Sequence, residues 1–184
     1  MADSLYLIAI LPPPELSRVL DLERKSFSEK YHTHKALKVM PHITLIAPFK
    51  RPGNFETEIH LNLQDYFSDV SPFQIEIKGY GSFQKASKVI FYKIEKSKEL
   101  LGIHQELVHF MRNNLKFSAA ETSYMYHPHI TIAYRDLTDE NFEKAWAEYE
   151  TKEFTSAFTF GKVYLLKHDY SRWQILSVFN LGKS

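Results

Sequence analysis

A five-residue stretch occurs twice in this chain: Pro41-His42-Ile43-Thr44-Leu45 returns as Pro128-His129-Ile130-Thr131-Ile132. Each copy runs into further apolar residues and then a basic one, Lys50 after the first and Arg135 after the second. Successive side chains of a β-strand point to opposite faces, so in both copies His and Thr share one face and the aliphatic residues share the other. The aliphatic face belongs to a core. The polar face carries an imidazole and a hydroxyl about 7 Å apart, a span that one phosphate group bridges. A packed strand has no need to repeat the polar members of its pattern, because any alternating sequence supplies the core face. The repetition therefore points to a duplicated unit whose copies aim the same functional groups at a shared cleft.

The surrounding pattern agrees. Leu5 to Leu11 is an apolar run of strand length, closed by Pro12-Pro13-Pro14, which cannot continue a ladder. Helical spacing of Leu16, Val19, Leu20 and Phe27 predicts a helix from Pro14 to about Tyr31. The first His-Thr strand is predicted over Lys38 to Pro48, a loop at Pro52-Gly53-Asn54, a helix from Ile59 to Phe67, and a half-buried strand through Phe73, Ile75 and Ile77. After Gly79 and Gly81 the order is written again. A strand spans Lys88 to Ile94, Ser97 caps a helix from Lys98 to about Leu115 with Leu100, Ile103, Leu107, Phe110 and Met111 on one face, and after a loop the second His-Thr strand covers Tyr126 to Tyr134. Thr138 or Asp139 caps an acidic helix through Tyr149, and the strands Phe154 to Leu166 and Trp173 to Leu181 form a hairpin around Asp169 to Arg172. Strands alternate with helices too irregularly for a doubly wound parallel sheet. The expected class is α+β: one domain over 1–184, built of two pseudo-symmetric lobes with repeats near 5–50 and 87–135. Each lobe is an antiparallel sheet with helices packed outside, and a central cleft lies between them.

Composition narrows the chemistry. With 184 residues, 44% of them hydrophobic and 15% aromatic, the chain can bury a sizeable core. It has no cysteine, which excludes disulfides, thiolate nucleophiles and cysteine-based zinc sites and permits a reducing compartment. The stretch from Met1 to Leu11 is too short to span a bilayer and lacks the cationic flank of a signal peptide, so a cytoplasmic monomer without membrane contact is expected. A net charge of +1 gives no global attraction to nucleic acid. Locally, Lys30, Lys35, Lys38, Lys50 and Arg51 cluster around the first His-Thr strand, and Lys85, Lys88, Lys93, Lys96 and Lys98 precede the second, while the acids collect between Asp136 and Glu153. Either basic run can be a plain solvated face. Their position beside the His-Thr strands is where an anionic ligand would be drawn in.

Three roles for the His-Thr pairs compete. Each His can be a half-buried strand residue satisfied by a neighbour, each Thr being there for its β propensity. A metal site is the second: His32-x-His34 and His127-x-His129 place paired imidazoles on one strand face, but no acidic residue in those segments completes a His-His-carboxylate set. His32 and His34 fit a surface loop better, and His60, His104, His109 and His168 show no partner pattern. The third is acid-base catalysis at phosphorus. One imidazole takes a proton from the attacking oxygen, the other gives one to the departing oxygen, and an unperturbed pKa near 6.5 suits both tasks. The threonines then donate to the non-bridging oxygens, and neither metal nor cofactor is required.

These motifs resemble the two-histidine phosphoesterase superfamily, in particular the branch named for 2′-5′ RNA ligases and RNA 2′,3′-cyclic phosphodiesterases. Its paired His-x-Thr/Ser-x signatures match His42-Ile43-Thr44-Leu45 and His129-Ile130-Thr131-Ile132. The likeness extends to the first strand ending in proline (Leu7 to Pro12), to His127-Pro128 ahead of the second motif, and to Ser87-Lys88-Val89-Ile90-Phe91. It implies a metal-independent cyclic phosphodiesterase acting on 2′,3′-cyclic phosphate ends of RNA or nucleotides, with weak reverse ligation. The rival from another class is a non-catalytic binder of RNA ends or of a phosphorylated small molecule. The resemblance also implies that His42 is the proton donor and His129 the acceptor, although near-identical motifs offer no independent basis for that assignment. Family members often carry arginine five residues after the second His; here that place is Tyr134, and Arg135 follows. Strand alternation would send Arg135 into the cleft with His129 and Thr131, and Tyr134 away from it. Arg135 and Lys88 are thus candidate substrate contacts, with Phe91 either stacking on a base or packing in the core.

Overall fold

In the first strand, β1 (Asp3–Ile10), Tyr6, Ile8 and Ile10 join the main core, while Leu7 and Ala9 enter a second cluster on the opposite face. Burial on both faces is why this segment reads as an unbroken apolar run. The computed structural model describes residues 3–85 and 87–182, so the first two residues of that N-terminal stretch lie outside the described residues. The following elements are α1 (Pro14–Tyr31), a 3-10 turn (Lys35–Lys38), β2 (Ile43–Pro52), α2 (Phe55–Ser68), β3 (Phe73–Phe83), β4 (Val89–Ile94) and α3 (Lys98–Asn114). Then come α4 (Ala119–Thr122), β5 (His129–Ala133), α5 (Asp139–Tyr149), β6 (Thr155–Phe160), β7 (Lys162–His168) and β8 (Trp173–Asn180).

Local chemistry accounts for most boundaries. Pro14 sits at the start of α1, where its missing N–H costs nothing, and His32 ends the helix in the left-handed conformation at φ 52°, its N–H donating to the Ser28 carbonyl. The Ser97 hydroxyl accepts from Leu100 N at 3.1 Å and opens α3, and the Thr138 hydroxyl accepts from Asn141 N at 3.2 Å and opens α5. Helix α4, in the stretch expected to be a loop, is held by a Ser118–Glu121 capping box. The predicted strand over Phe154 to Leu166 is two strands parted at Gly161, β6 at one edge of the sheet beside β3 and β7 in the other half between β1 and β8. The β7–β8 hairpin is present, its turn closed by Asp169 N donating to Arg172 O at 3.0 Å.

The eight strands among the described residues form a single antiparallel sheet in the order β6-β3-β4-β5-β2-β1-β7-β8. The mixed helix and antiparallel-strand class expected from the sequence is therefore correct. The two expected sheets are one continuous sheet, whose halves join between β2 and β5. Helix α1 connects β1 to β2 yet packs on β5, and α3 connects β4 to β5 yet packs on β2. Each helix thus crosses to the other half, and the main core, with Leu20, Phe27, Leu100 and Leu107 fully buried, seals the seam from one face. Each such side chain contributes about 1.5–3 kcal/mol by leaving water. The opposite face is left open along the seam.

Candidate active site

Strands β2 and β5 touch at one rung, Ile43 opposite Ile130. These are the residues next to His42 and His129. Continuing that antiparallel register sets His42 across from Thr131 and Thr44 across from His129, all on the face opposite the buried isoleucines. The alternation expected from the motifs holds: Ile43, Leu45, Ile130 and Ile132 are buried in the core, while both His and both Thr are half-buried on the other side.

The two imidazoles are fixed in the same way. His42 Nδ1 lies 2.8 Å from the Met40 carbonyl and His129 Nδ1 lies 2.6 Å from the His127 carbonyl, in each case the residue two positions back. A carbonyl only accepts, so each Nδ1 carries the proton and donates it, which leaves Nε2 of both rings as the nitrogen able to accept a proton. Their electrostatic settings differ. Burial holds the His42 pKa at about 4, against the raising effect of the Met40 carbonyl, with the charges of Arg24 and His129 adding to the depression. His129 is also lowered, by burial first, with His127 contributing and the His127 carbonyl opposing.

A cavity of about 540 Å³ opens over His42, Thr44 and Thr131. Leu5, Leu7 and Trp173 form an apolar wall, and Lys35, Lys38 and Arg135 stand around it together with Arg24. Among the described residues no carboxylate lines the cavity. His129 is not part of that lining; its ring packs instead against Phe91 (centroids 5.0 Å apart), Phe83 (5.3 Å) and His127 (6.2 Å). His168, which shows no partner pattern in the sequence, also faces the cavity beside Trp173, ring centroids 5.2 Å apart.

Arg24 is a cavity-lining residue that pattern reading passed over. It is 1% exposed, and its Nη1 donates to Asp21 Oδ1 at 2.7 Å. Its Nη2 donates to the Ala36 carbonyl and, at 2.9 Å, to the Val39 carbonyl. A helix residue thereby ties down the segment that leads into His42. The sequence does hold a signal for it: Arg24 occupies the stripe of α1 that otherwise buries Leu20, Phe27 and Tyr31, a charge where the helical period calls for an apolar side chain. Tyr124 is a second. Its hydroxyl donates to Leu45 O at 3.0 Å and accepts from Ala47 N at 3.2 Å, which satisfies β2 where its pairing with β1 is irregular.

Several expected contacts fall elsewhere. Phe91 is 2% exposed and leaves no open ring face for a base; it packs beneath His129, and Gly81 makes room for it, since a Cβ there would stand 2.5 Å from the ring. Lys88 points away from the cavity to α5, its Nζ 4.8 Å from the Phe142 ring centroid and 3.9 Å from Glu143. Tyr134, expected to face away, lines the cavity alongside Arg135. The reason is that β5 ends at Ala133 and Arg135 adopts φ 65°, so two-residue alternation no longer governs; the Arg135 guanidinium lies 5.2 Å from the Tyr134 ring centroid. His34, one of the sequence-level metal candidates, is instead 2.6 Å from the Ser28 hydroxyl, and among the described residues no three His, Asp or Glu side chains gather as a metal site would need. No described helix is long and apolar enough to cross a membrane.

Comparison with known proteins gives the same picture. A protein of Bacillus cytotoxicus, named as a candidate phosphoesterase, is 30% identical over 168 residues, covering 91% of this chain and 93% of the relative. A Bacillus mycoides protein with the same designation is 29% identical over equal shares of both chains. Among solved structures, the TT0787 protein of Thermus thermophilus superposes with a TM-score of 0.70 at 16% identity, covering 96% of this chain and 97% of that one. LigT of E. coli in its apo form gives 0.68 at 15% identity with both chains covered completely, and LigT complexed with 3′-AMP gives 0.67 at 15% identity over 98% and 99%. The family model described as the 2′-5′ RNA ligase superfamily matches residues 12–172, and the chain belongs to that superfamily of two-histidine phosphoesterases.

Proposed function

We propose that this protein is a metal-independent cyclic phosphodiesterase that opens 2′,3′-cyclic phosphate ends of RNA or nucleotides to phosphomonoesters. The observation that carries this reading is the pair of imidazoles anchored alike through Nδ1, with Nε2 of each free to move a proton. One Nε2 takes a proton from water, the water oxygen bonds to phosphorus, the P–O bond to one ribose oxygen breaks, and the other Nε2 supplies that oxygen with its proton. The Thr44 and Thr131 hydroxyls donate to the non-bridging oxygens as charge builds on them. The likeness of the chain to LigT, solved with 3′-AMP, supports a nucleotide ligand. We read the whole chain as one catalytic unit, a cytoplasmic monomer, in keeping with its lack of cysteine.

The donor must arrive protonated. If His42 is the donor, as the family resemblance implies, its pKa of about 4 leaves it neutral near pH 7 until a phosphate anion enters and offsets the burial and the Arg24 charge. Substrate binding and proton uptake are then coupled. Phosphorus NMR of a 2′,3′-cyclic nucleotide with EDTA present tests the reading. Turnover lost in His42→Ala and in His129→Ala is the expected result; binding without turnover in the unaltered protein would make it a binder of phosphorylated ends instead, and turnover abolished by EDTA would make it a metallohydrolase.

A further inference from the structure

Two lysines and two arginines line the cavity, and among the described residues no carboxylate does. A single phosphodiester carries one negative charge and is already met by two histidines and two threonines, so the surplus calls for another anion. Arg24 engages Asp21 through Nη1 and the Ala36 and Val39 carbonyls through Nη2, which leaves only its buried Nε without a partner among the described residues. Lys35, Lys38 and Arg135 form no ion pair among the described residues, and all three are exposed at the cavity edge.

Their placement is built. The 3-10 turn that carries both lysines is pinned from two sides. Arg24 holds the Ala36 and Val39 carbonyls from α1. Asp136, the residue after Arg135, accepts from Thr33 Oγ1 at 2.6 Å, His34 N at 2.8 Å and Lys35 N at 3.0 Å. Those bonds hold its carboxyl below the usual range, against the opposing effect of burial, so it stays charged at neutral pH. One carboxylate thus fastens the turn bearing Lys35 and Lys38 to the segment just past β5 that bears Arg135, and it spends its own charge on backbone and hydroxyl donors instead of neutralising the three cations. Held in register, such cations lose less freedom on meeting an anion than lysines on a free loop would.

Resting on the phosphodiesterase reading of the same site, we propose that Lys35, Lys38 and Arg135 form a second anion subsite. It takes the phosphate 5′ to the ribose whose cyclic phosphate reacts, with the nucleoside seated along Leu5, Leu7 and Trp173. A 5′-phosphorylated mononucleotide and the last nucleotide of an RNA strand both present that group.

Binding measured by titration calorimetry at low salt separates this from the catalytic reading, because it needs no turnover. Adenosine 3′,5′-bisphosphate should bind at least about ten-fold more tightly than adenosine 3′-monophosphate. In Lys35→Ala/Lys38→Ala, and separately in Arg135→Ala, that ratio should fall toward one, and in the unaltered protein it should shrink as salt is raised. Equal affinities for the two ligands, or a ratio unchanged in both variants while circular dichroism shows them folded, would overturn the proposal. The diadenylate ApAp places a diester at the 5′ position: binding as tight as the bisphosphate assigns the subsite to RNA ends, and binding only of the bisphosphate assigns it to mononucleotides. Loss of cyclic phosphodiesterase activity with the bisphosphate preference intact would remove the reaction and leave the subsite standing.

Discussion

The two His-Thr strands have the same sequence pattern, the same Nδ1 anchor and opposite surroundings. Strand β2 runs for 10 residues, and His42, just ahead of it, opens into the cavity within the field of a buried arginine. Strand β5 has 5 residues, and its His129 sits outside the cavity lining on a bed of Phe83, Phe91 and His127. Duplication supplies two equivalent imidazoles; their neighbours make them unequal. In the proposed reaction the two rings hold different protonation states in one step, which needs such a difference, and here it comes from the helix and strands packed around each ring.

The largest effect should come from removing either ring. His42→Ala and His129→Ala should each lower kcat for a cyclic nucleotide by roughly 10²–10⁴-fold. A variant that keeps near-normal turnover would show that one strand alone does the work and would break the comparison. Removing the field that distinguishes them comes next. In Arg24→Gln the His42 pKa should rise from about 4 while His129 moves little, as read by NMR titration of the ring protons. In the unaltered protein both pKa values are depressed, so the pH profile of kcat/KM, which reports the free protein, should be a bell lying on the acid side of 6.5. The profile of kcat should lie at higher pH, because the bound phosphate favours the imidazolium. Profiles that coincide would sever proton uptake from binding.

The same depressed values bear on stability. A His with a lowered folded-state pKa contributes stability that is complete above its unfolded value near 6.5 and is lost as pH falls toward its folded value. His42 and the buried His104, both at about 4, should therefore bring acid unfolding on between those limits. The bed beneath His129 is tested by Gly81→Ala, whose Cβ would meet the Phe91 ring at 2.5 Å. We expect a loss of about 1–3 kcal/mol in denaturant melts, together with a lower kcat and little change in His42 titration. The smallest effect belongs to Lys88→Ala. This lysine faces Phe142 and a largely exposed Glu143, so KM should stay within about two-fold and stability within roughly 0.5 kcal/mol.

Much of the fold was legible because it is written in short periods and caps. The helices over Pro14–Tyr31 and Lys98–Asn114 and the hairpin ending the chain follow from apolar spacing, Pro and Ser signals and turn residues. What pattern reading missed has a common cause. The second His-Thr strand starts three residues later than expected and ends at Ala133; φ turns positive at Arg135, and past the strand's end counting by two misplaced Tyr134. Lys88 looked like a ligand contact because it precedes a buried strand in a basic run, yet which way it leans depends on α5, more than 50 residues on.

The chain's own sequence determined which groups stand as candidates for chemistry: two near-identical tetrads, differing only at Leu45 and Ile132, each with its polar pair on one strand face, in a protein without a thiol. Alternation is a property of the backbone, so it survives whatever packs nearby. Only the tertiary structure decided which cations face that chemistry, bringing Arg24 and the Lys35–Lys38 turn to the seam and turning Lys88 away. A side chain's electrostatic partners are set by helices that cross between the halves of the sheet, and no local period encodes a crossing.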